Sequence, residues 1–289
     1  MKAFAKKQKT GLTLKKSGWN QRQKLLFWLI AAVLFLMAVC IGGMFLDEAA
    51  KTTDFSRKNI APCLAYPFGT DWLGRNMFAR TIRGLSISIV IGISAAAVSA
   101  VLAFILGVVS ATMGKAADAM VTWFIDLVMG IPHMLLLILV CVACGRGLKG
   151  VILGVALTHW TSLARLIRGE VLQLKEQQYI KMARKLGKSN LYIAMKHMAP
   201  HLFPQFVVGL ILLFPHAILH ESGITFLGFG LSNEQPAIGI ILSEAMKYMI
   251  TGKWWLALFP GLMLVLTVVC FYAVGENLRK LVDPASAHK

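Results

Sequence analysis

The chain has 289 residues, 57% of them hydrophobic, a formal net charge of +17 and a mean hydropathy of +0.68. Hydropathy at this level excludes an ordinary soluble domain and points to an all-α polytopic membrane protein; a transmembrane barrel is excluded by the lack of alternating strands of ~10 residues. On a soluble protein the charge would suggest nucleic acid, but its placement follows the positive-inside rule, with 20 of the 30 basic residues on the cytoplasmic side of a six-span arrangement.

In chain order, residues 1–24 form a basic tail with eight Lys/Arg and no acid. The tail is expected in the cytoplasm, against anionic lipid headgroups. The apolar run 25–46 is too long for a signal-peptide core and lacks a clear small-x-small cleavage site, so it reads as a retained first transmembrane helix. Residues 47–83 form a polar external segment, in which Pro67, Gly69 and Gly74 predict turns rather than a helix. It is expected to fold as a cap over the helices or to touch an external binding partner.

A core domain then occupies 84–284, before a short tail at 285–289. Its apolar runs are Leu85–Met113, Ala119–Cys144, Gly150–Leu163, Leu202–Leu219 and Trp254–Gly275. About 20 residues are needed to cross the hydrocarbon core, so Gly150–Leu163 spans only by continuing into its flanks. The total is six helices, with both termini cytoplasmic. Of the five cysteines only Cys63 sits well outside the membrane, so no disulfide framework is implied. Cys141 and Cys144 read as packing residues, because a closed zinc site needs four ligands.

Asp126 is an acid inside the third run. Hydrogen bonding between helices or to a partner is the expected role, and a proton or cation relay is the alternative. Pro132 kinks this run and frees a carbonyl; His133 beside it reads as a satisfied core histidine.

A cytoplasmic loop is expected at about 165–201, with eight Lys/Arg against Glu170 and Glu176. Within it, YIKMARKLGKSNLYIAMKHMAPHLFP (179–204) predicts helix, glycine, helix. Gly187 is placed for a left-handed cap and Ser189 for an N-cap. Met182, Ala183 and Leu186 share one side of the first helix, and Lys181, Arg184, Lys185 and Lys188 fill much of the rest. A short amphipathic helix of this kind is built to dock in a partner's groove. Pro200 and Pro204 should break the pattern before the next span.

His216-x-x-x-His220-Glu221 follows. Spacing of i, i+4 puts both imidazoles on one helix face, about 6 Å apart, and neutral imidazole suits Ni, Zn and Cu. Glu221 could attract a cation. Transient metal binding on a substrate pathway is one reading, since a conduit needs weak sites; bonding to backbone or water at the helix mouth is the other. Gly228 and Gly230 weaken helix after this span, and Gly228–Trp254 should form a re-entrant element or an external hairpin, gating access either way. No phosphate-binding loop, nucleophile–base set or complete metal site is visible, so the chain reads as neither an enzyme nor a cofactor-binding protein.

Several blocks carry a resemblance. Residues 179–204 resemble the "EAA" coupling loop of ABC importer permeases around Ala183, Arg184, Leu186 and Gly187, with Lys181-Met182 replacing the usual Glu-Ala. YPFGTDWLGRN (66–76) resembles the "HP-x-GTD-x-LGRD" signature of the dipeptide, oligopeptide and nickel permeases. Asp126 with Pro132, SGITFLGFGL (222–231), WLALFPG (255–261) and Gly275 to Pro284 match further blocks in order. The chain thus resembles the "C"-type subunit of that family, and Thr158-His159-Trp160 with the His216/His220 pair resembles its nickel branch. The resemblance implies a type I ABC importer permease fold in the bacterial inner membrane. It implies a homologous second permease, two ATPases carrying ATP-Mg and an extracytoplasmic binding protein. Nickel, free or chelated by a small ligand, is the expected substrate; a di- or oligopeptide is the alternative, and a secondary transporter needing no ATPase is the reading of another class.

Overall fold

The computed structural model describes residues 21–232 and 235–282. The basic tail up to Asn20 and Asp283–Lys289, with the Asp283-Pro284 end of the last family block, lie outside the described residues. Eleven α-helices lie among the described residues, in order: α1 (Gln21–Phe45), α2 (Asp47–Lys51), α3 (Met77–Thr112), α4 (Lys115–Gly130), α5 (His133–Ala143), α6 (Gly147–Lys175), α7 (Gln178–Lys185), α8 (Asn190–Ile193), α9 (Ala199–Phe226), α10 (Ile238–Met249) and α11 (Trp255–Val282). The one β feature among the described residues is a bridge between Thr70 and Asn76.

Among the described residues five helices are long and apolar enough to cross a membrane, and α4 with α5 makes a sixth span if the bent pair counts as one. The kink expected at Pro132 is a full break: α4 and α5 meet at 101°. Ile131 is extended and Pro132 is the N-cap of α5, as expected where proline bars the helical conformation of its predecessor. The fourth span continues into both flanks, and residues 165–175, assigned to the loop from sequence, are the last turns of α6. The anticipated break at Pro200 and Pro204 does not occur. Pro200 and Pro204 both lie within α9, and a π turn at Ala194–Met198 joins α8 to α9 in one continuous helix, Asn190–Phe226.

Helix α3 is the centre of the bundle. Small residues recur along it at Gly92, Ala96 and Ala100, then at Ala103, Gly107 and Ala111, all buried. Spacing of four puts each trio on one face, so neighbouring backbones approach closely. At Gly107 a Cβ would stand 2.9 Å from the Ala164 carbonyl oxygen and 3.0 Å from Ile167, and at Gly92 it would stand 2.6 Å from Ile218. Apolar side chains of α3, α5, α6 and α9 make one core cluster, and α1, α3, α10 and α11 make a second.

At the end of the bundle where α3 starts, the segment rich in turns is tied down by ions. Asp71 is buried and pairs with Arg80 at 2.6 Å and with Arg75 at 2.7 Å. It also accepts the backbone N–H groups of Leu73 and Arg75. Arg80 reaches Glu244 on α10 at 3.1 Å. The cap, α3 and α10 are thereby fastened together by charges that each have a partner. Asp47 pairs with Lys51 and Arg83, and the Lys51 hydrogen bond, backed by both cations, holds its carboxyl below the usual range.

Candidate functional site

The bend between α4 and α5 opens a cavity of about 590 Å³ bounded by α4, α5, α6 and α9. Four histidines line it. His133 opens α5 just past the bend, His159 lies midway along α6, and His216 and His220 lie one turn apart on α9. Three of them converge. Ring centroids are 4.6 Å apart for His133–His159, 4.6 Å for His133–His220 and 4.9 Å for His159–His220. One nitrogen from each lies within 4.8 Å of the others.

Their hydrogen bonds fix which nitrogens are free. His159 Nδ1 lies 3.0 Å from the Val155 carbonyl oxygen and 3.0 Å from the Thr158 hydroxyl, whose own proton goes to the Gly154 carbonyl. A carbonyl only accepts, so Nδ1 carries the proton and Nε2 the lone pair. Met134 Sδ lies 3.1 Å from His220 Nδ1 and imposes the same arrangement on that ring. The Nε2 atoms of His133 and His159 are buried and have no hydrogen-bond partner in the protein. Besides the imidazoles the cavity presents Thr158, Thr161 and Ser162 over apolar walls; among the described residues that line it there is no carboxylate, ammonium or guanidinium group.

Sequence spacing paired His216 with His220. The structure places both on the cavity but draws His220 toward His133 and His159, leaving His216 outside the converging trio. Glu221 does not reach the cavity. It is one residue on from His220, hence about 100° around the helix, fully buried, and accepts hydrogen bonds from Ser222 and Thr225 at 3.2 Å each. His133 is not a satisfied core histidine, because its Nε2 has no partner. Spacing could not have joined it to His159 and His220, which come from other helices; the Pro132-His133 step at a helix break was the one local hint. Cys141 is buried against the Phe229 carbonyl, away from the trio.

Asp126 pairs with Arg165 at 2.7 Å, and Asp118 holds Arg168 by two bonds of 2.6 and 2.8 Å. These pairs clasp α4, one wall of the cavity, to α6. Gly228, at φ 84, ends α9 in a Schellman arrangement, with Phe229 N–H bonded to the Ile224 carbonyl and Gly228 N–H to that of Thr225. Gly230 accepts from Gly147 N–H and leaves no room for a Cβ against Thr225.

At the opposite end of α6, Gly187 takes φ 77 and closes α7 with the same pair of bonds, Gly187 N–H to Arg184 and Lys188 N–H to Ala183. Ser189 caps α8 through Tyr192 N–H. The apolar side of α7 divides differently from the sequence reading. Ile180 and Ala183 pack inward, whereas Met182 and Leu186 are exposed, 57% and 75%, on a face of their own. Lys181 pairs with Glu176 at 2.8 Å.

A broken span, a cavity among the long apolar helices and a short helix with an exposed apolar pair at one end are features of a permease, and the comparisons place it. Residues 88–287 match the family described as binding-protein-dependent transport system inner membrane component, and the chain belongs to it. It is 30% identical over 280 residues to the dipeptide transport system permease protein DppC of Bacillus subtilis (strain 168), covering 96% of this chain and 88% of that protein. It is 32% identical over 256 residues to the oligopeptide transport system permease protein OppC of the same organism, covering 89% and 84%. The fold is similar to a chain of the MetNI methionine ABC transporter in inward-facing conformations, with a TM-score of 0.58 over 72% of this chain and 98% of that one, at 16% identity. The chain is therefore a multi-pass permease subunit of an ABC importer, a transport protein rather than an enzyme, and membership implies ATPase and other subunits.

Proposed function

We propose that this subunit forms half of the pathway of an ATP-driven importer for nickel, taken up free or as a small-ligand chelate. The observation that carries the reading is the cavity at the bend, with four imidazoles and no charged group among its described lining residues. Neutral imidazole is a ligand for nickel and its neighbours in the first transition row. The other half comes from a homologous permease, the substrate from an extracytoplasmic binding protein and the energy from two ATPases in the cytoplasm. ATPase closure pulls on α7 and biases the permease pair between outward and inward access; the work comes from differential binding of the ATPase to the two states. The positive-inside rule puts α7 and both termini in the cytoplasm and α2 with the Thr70–Asn76 turn outside.

The names of the relatives favour a second reading, import of di- or oligopeptides, and by sequence likeness alone it is the better supported of the two. Uptake of labelled nickel, labelled nickel chelate and labelled dipeptide in cells lacking the gene, with and without the gene restored, separates them. Nickel uptake that depends on the gene supports the metal reading; uptake of dipeptide alone establishes the other.

A further inference from the structure

We infer that His133, His159 and His220 form a binding site for a late first-row divalent ion, built within this one chain. The inference deepens the proposed metal cargo and rests on it for its purpose. Three observations converge. The nitrogens lie within 4.8 Å of one another. A metal with bonds near 2.0–2.1 Å holds tetrahedral ligands about 3.3 Å apart, so side-chain rotations of roughly an ångström complete the site. The rings are oriented by outer partners, the Val155 carbonyl for His159 and the Met134 sulfur for His220; this is how imidazoles are presented to metals, with one nitrogen fixed by a hydrogen bond and the other free. Finally, the Nε2 atoms of His133 and His159 are buried with no partner in the protein. Buried polar atoms are almost always satisfied, so two orphaned nitrogens on rings of one cluster point to a shared electrophile.

The donor set selects the ion. Three neutral imidazoles suit nickel, copper and zinc, whereas magnesium and calcium take oxygen ligands. Three protein ligands also leave coordination positions toward the cavity, where a small chelator carried with the ion fits. Each ligand comes from a different helix, α5, α6 and α9. Displacement of any one of them removes a bond, which suits a site that must release its ion.

The test uses the whole importer complex, purified without a histidine tag and free of nucleotide, and loaded with Ni²⁺ alone. X-ray absorption should report about three imidazoles on the bound nickel. His133→Ala, His159→Ala and His220→Ala should each weaken binding at least ~10-fold, since loss of even an outer partner costs that much, while His216→Ala retains the site. Elution volume and subunit yield identify a variant that has not folded; the imidazole count on the wild-type complex decides the matter without variants. Nickel coordinated by oxygen alone, or binding indifferent to all three replacements in folded complexes, overturns the inference. Nickel held by the trio without nickel uptake in cells keeps the site and overturns the cargo reading. Nickel uptake by a complex whose trio is replaced and binds none keeps the cargo reading and overturns the site.

Discussion

His159 Nδ1 lies 3.0 Å from the carbonyl oxygen of Val155, four residues earlier on the same helix. This bond spends the ring proton on the helix backbone and leaves the buried Nε2 as the basic nitrogen. His159→Asn and His159→Gln therefore test different things. The amide of Asn can hold the Nδ1 position, whereas that of Gln extends toward the Nε2 position. If the Nε2 lone pair is what matters, both variants assemble and both lose nickel uptake at limiting nickel, with Gln losing less. Uptake normal in both, at normal complex yield, would remove His159 from the pathway.

The pair read from sequence gives a graded expectation. His220 converges with the other two rings and His216 does not. His220→Ala should cut nickel uptake at limiting nickel about as far as the His216/His220 double replacement, roughly tenfold or more for a lost ligand, and His216→Ala far less. Radioactive nickel uptake measured beside subunit yield checks this. Equal losses in the two single variants would return the site to the α9 pair alone.

How much was legible follows from what each feature depends on. The spans, Gly187 and Ser189 depend on local chemistry, apolar length, positive φ and capping, and the sequence reading placed them well. The bend at Ile131-Pro132 was read as a kink, and its 101° angle is set by packing against α6 and α9, which no local rule contains. The cavity histidines are scattered over residues 133 to 220 on three helices. Helical periodicity joins only residues three or four apart, so it paired His216 with His220 and set His133 aside. The division of α7 likewise depends on what lies beneath it: Ile180 is fully buried because α7 folds back on the bundle.

Asp71 is buried and pairs with the part-buried Arg75 and the buried Arg80. Asp71→Ala leaves Arg75 and Arg80 with Glu244 as their remaining acid, and breaking one side of a buried pair costs up to about 3–5 kcal/mol. Lower subunit yield and a lower melting temperature of the complex are expected. Asp71→Asn should be intermediate, since the amide oxygen still accepts from Leu73 and Arg75 N–H. An unchanged melting temperature for Asp71→Ala would mean that the cap is not fastened through this residue.

Sidedness is tested by labelling. Ser56 lies in the segment at the start of α3 and Ser189 between α7 and α8; both are in exposed surroundings. In a background where the exposed Cys63 is replaced, Ser56→Cys should react with an impermeant thiol reagent in intact cells, and Ser189→Cys only after the membrane is opened. The reverse pattern would invert the topology and, with it, the side on which α7 meets an ATPase.

Gly187 closes α7 at φ 77, and nothing lies within 4 Å of where a Cβ would be. Any penalty for a larger residue there is thus a backbone penalty, not a clash. A left-handed conformation costs an ordinary L-residue about 1–2 kcal/mol, and Asn less because its side chain bonds locally. The order expected is Gly187→Asn mildest, Gly187→Ala next, and Gly187→Val worst, since β-branching adds crowding at positive φ. The defect should appear in coupling rather than insertion. Gly187→Val should reach the membrane at normal levels yet lose transport and co-purify with less ATPase subunit, because Met182 and Leu186, the exposed apolar pair on α7, are presented by a helix whose end is no longer fixed. Membrane level, ATPase recovery and uptake measured on the same preparations resolve this. Full uptake by Gly187→Val, or a loss of membrane level in step with uptake, would show that the closure at Gly187 does not govern the contact.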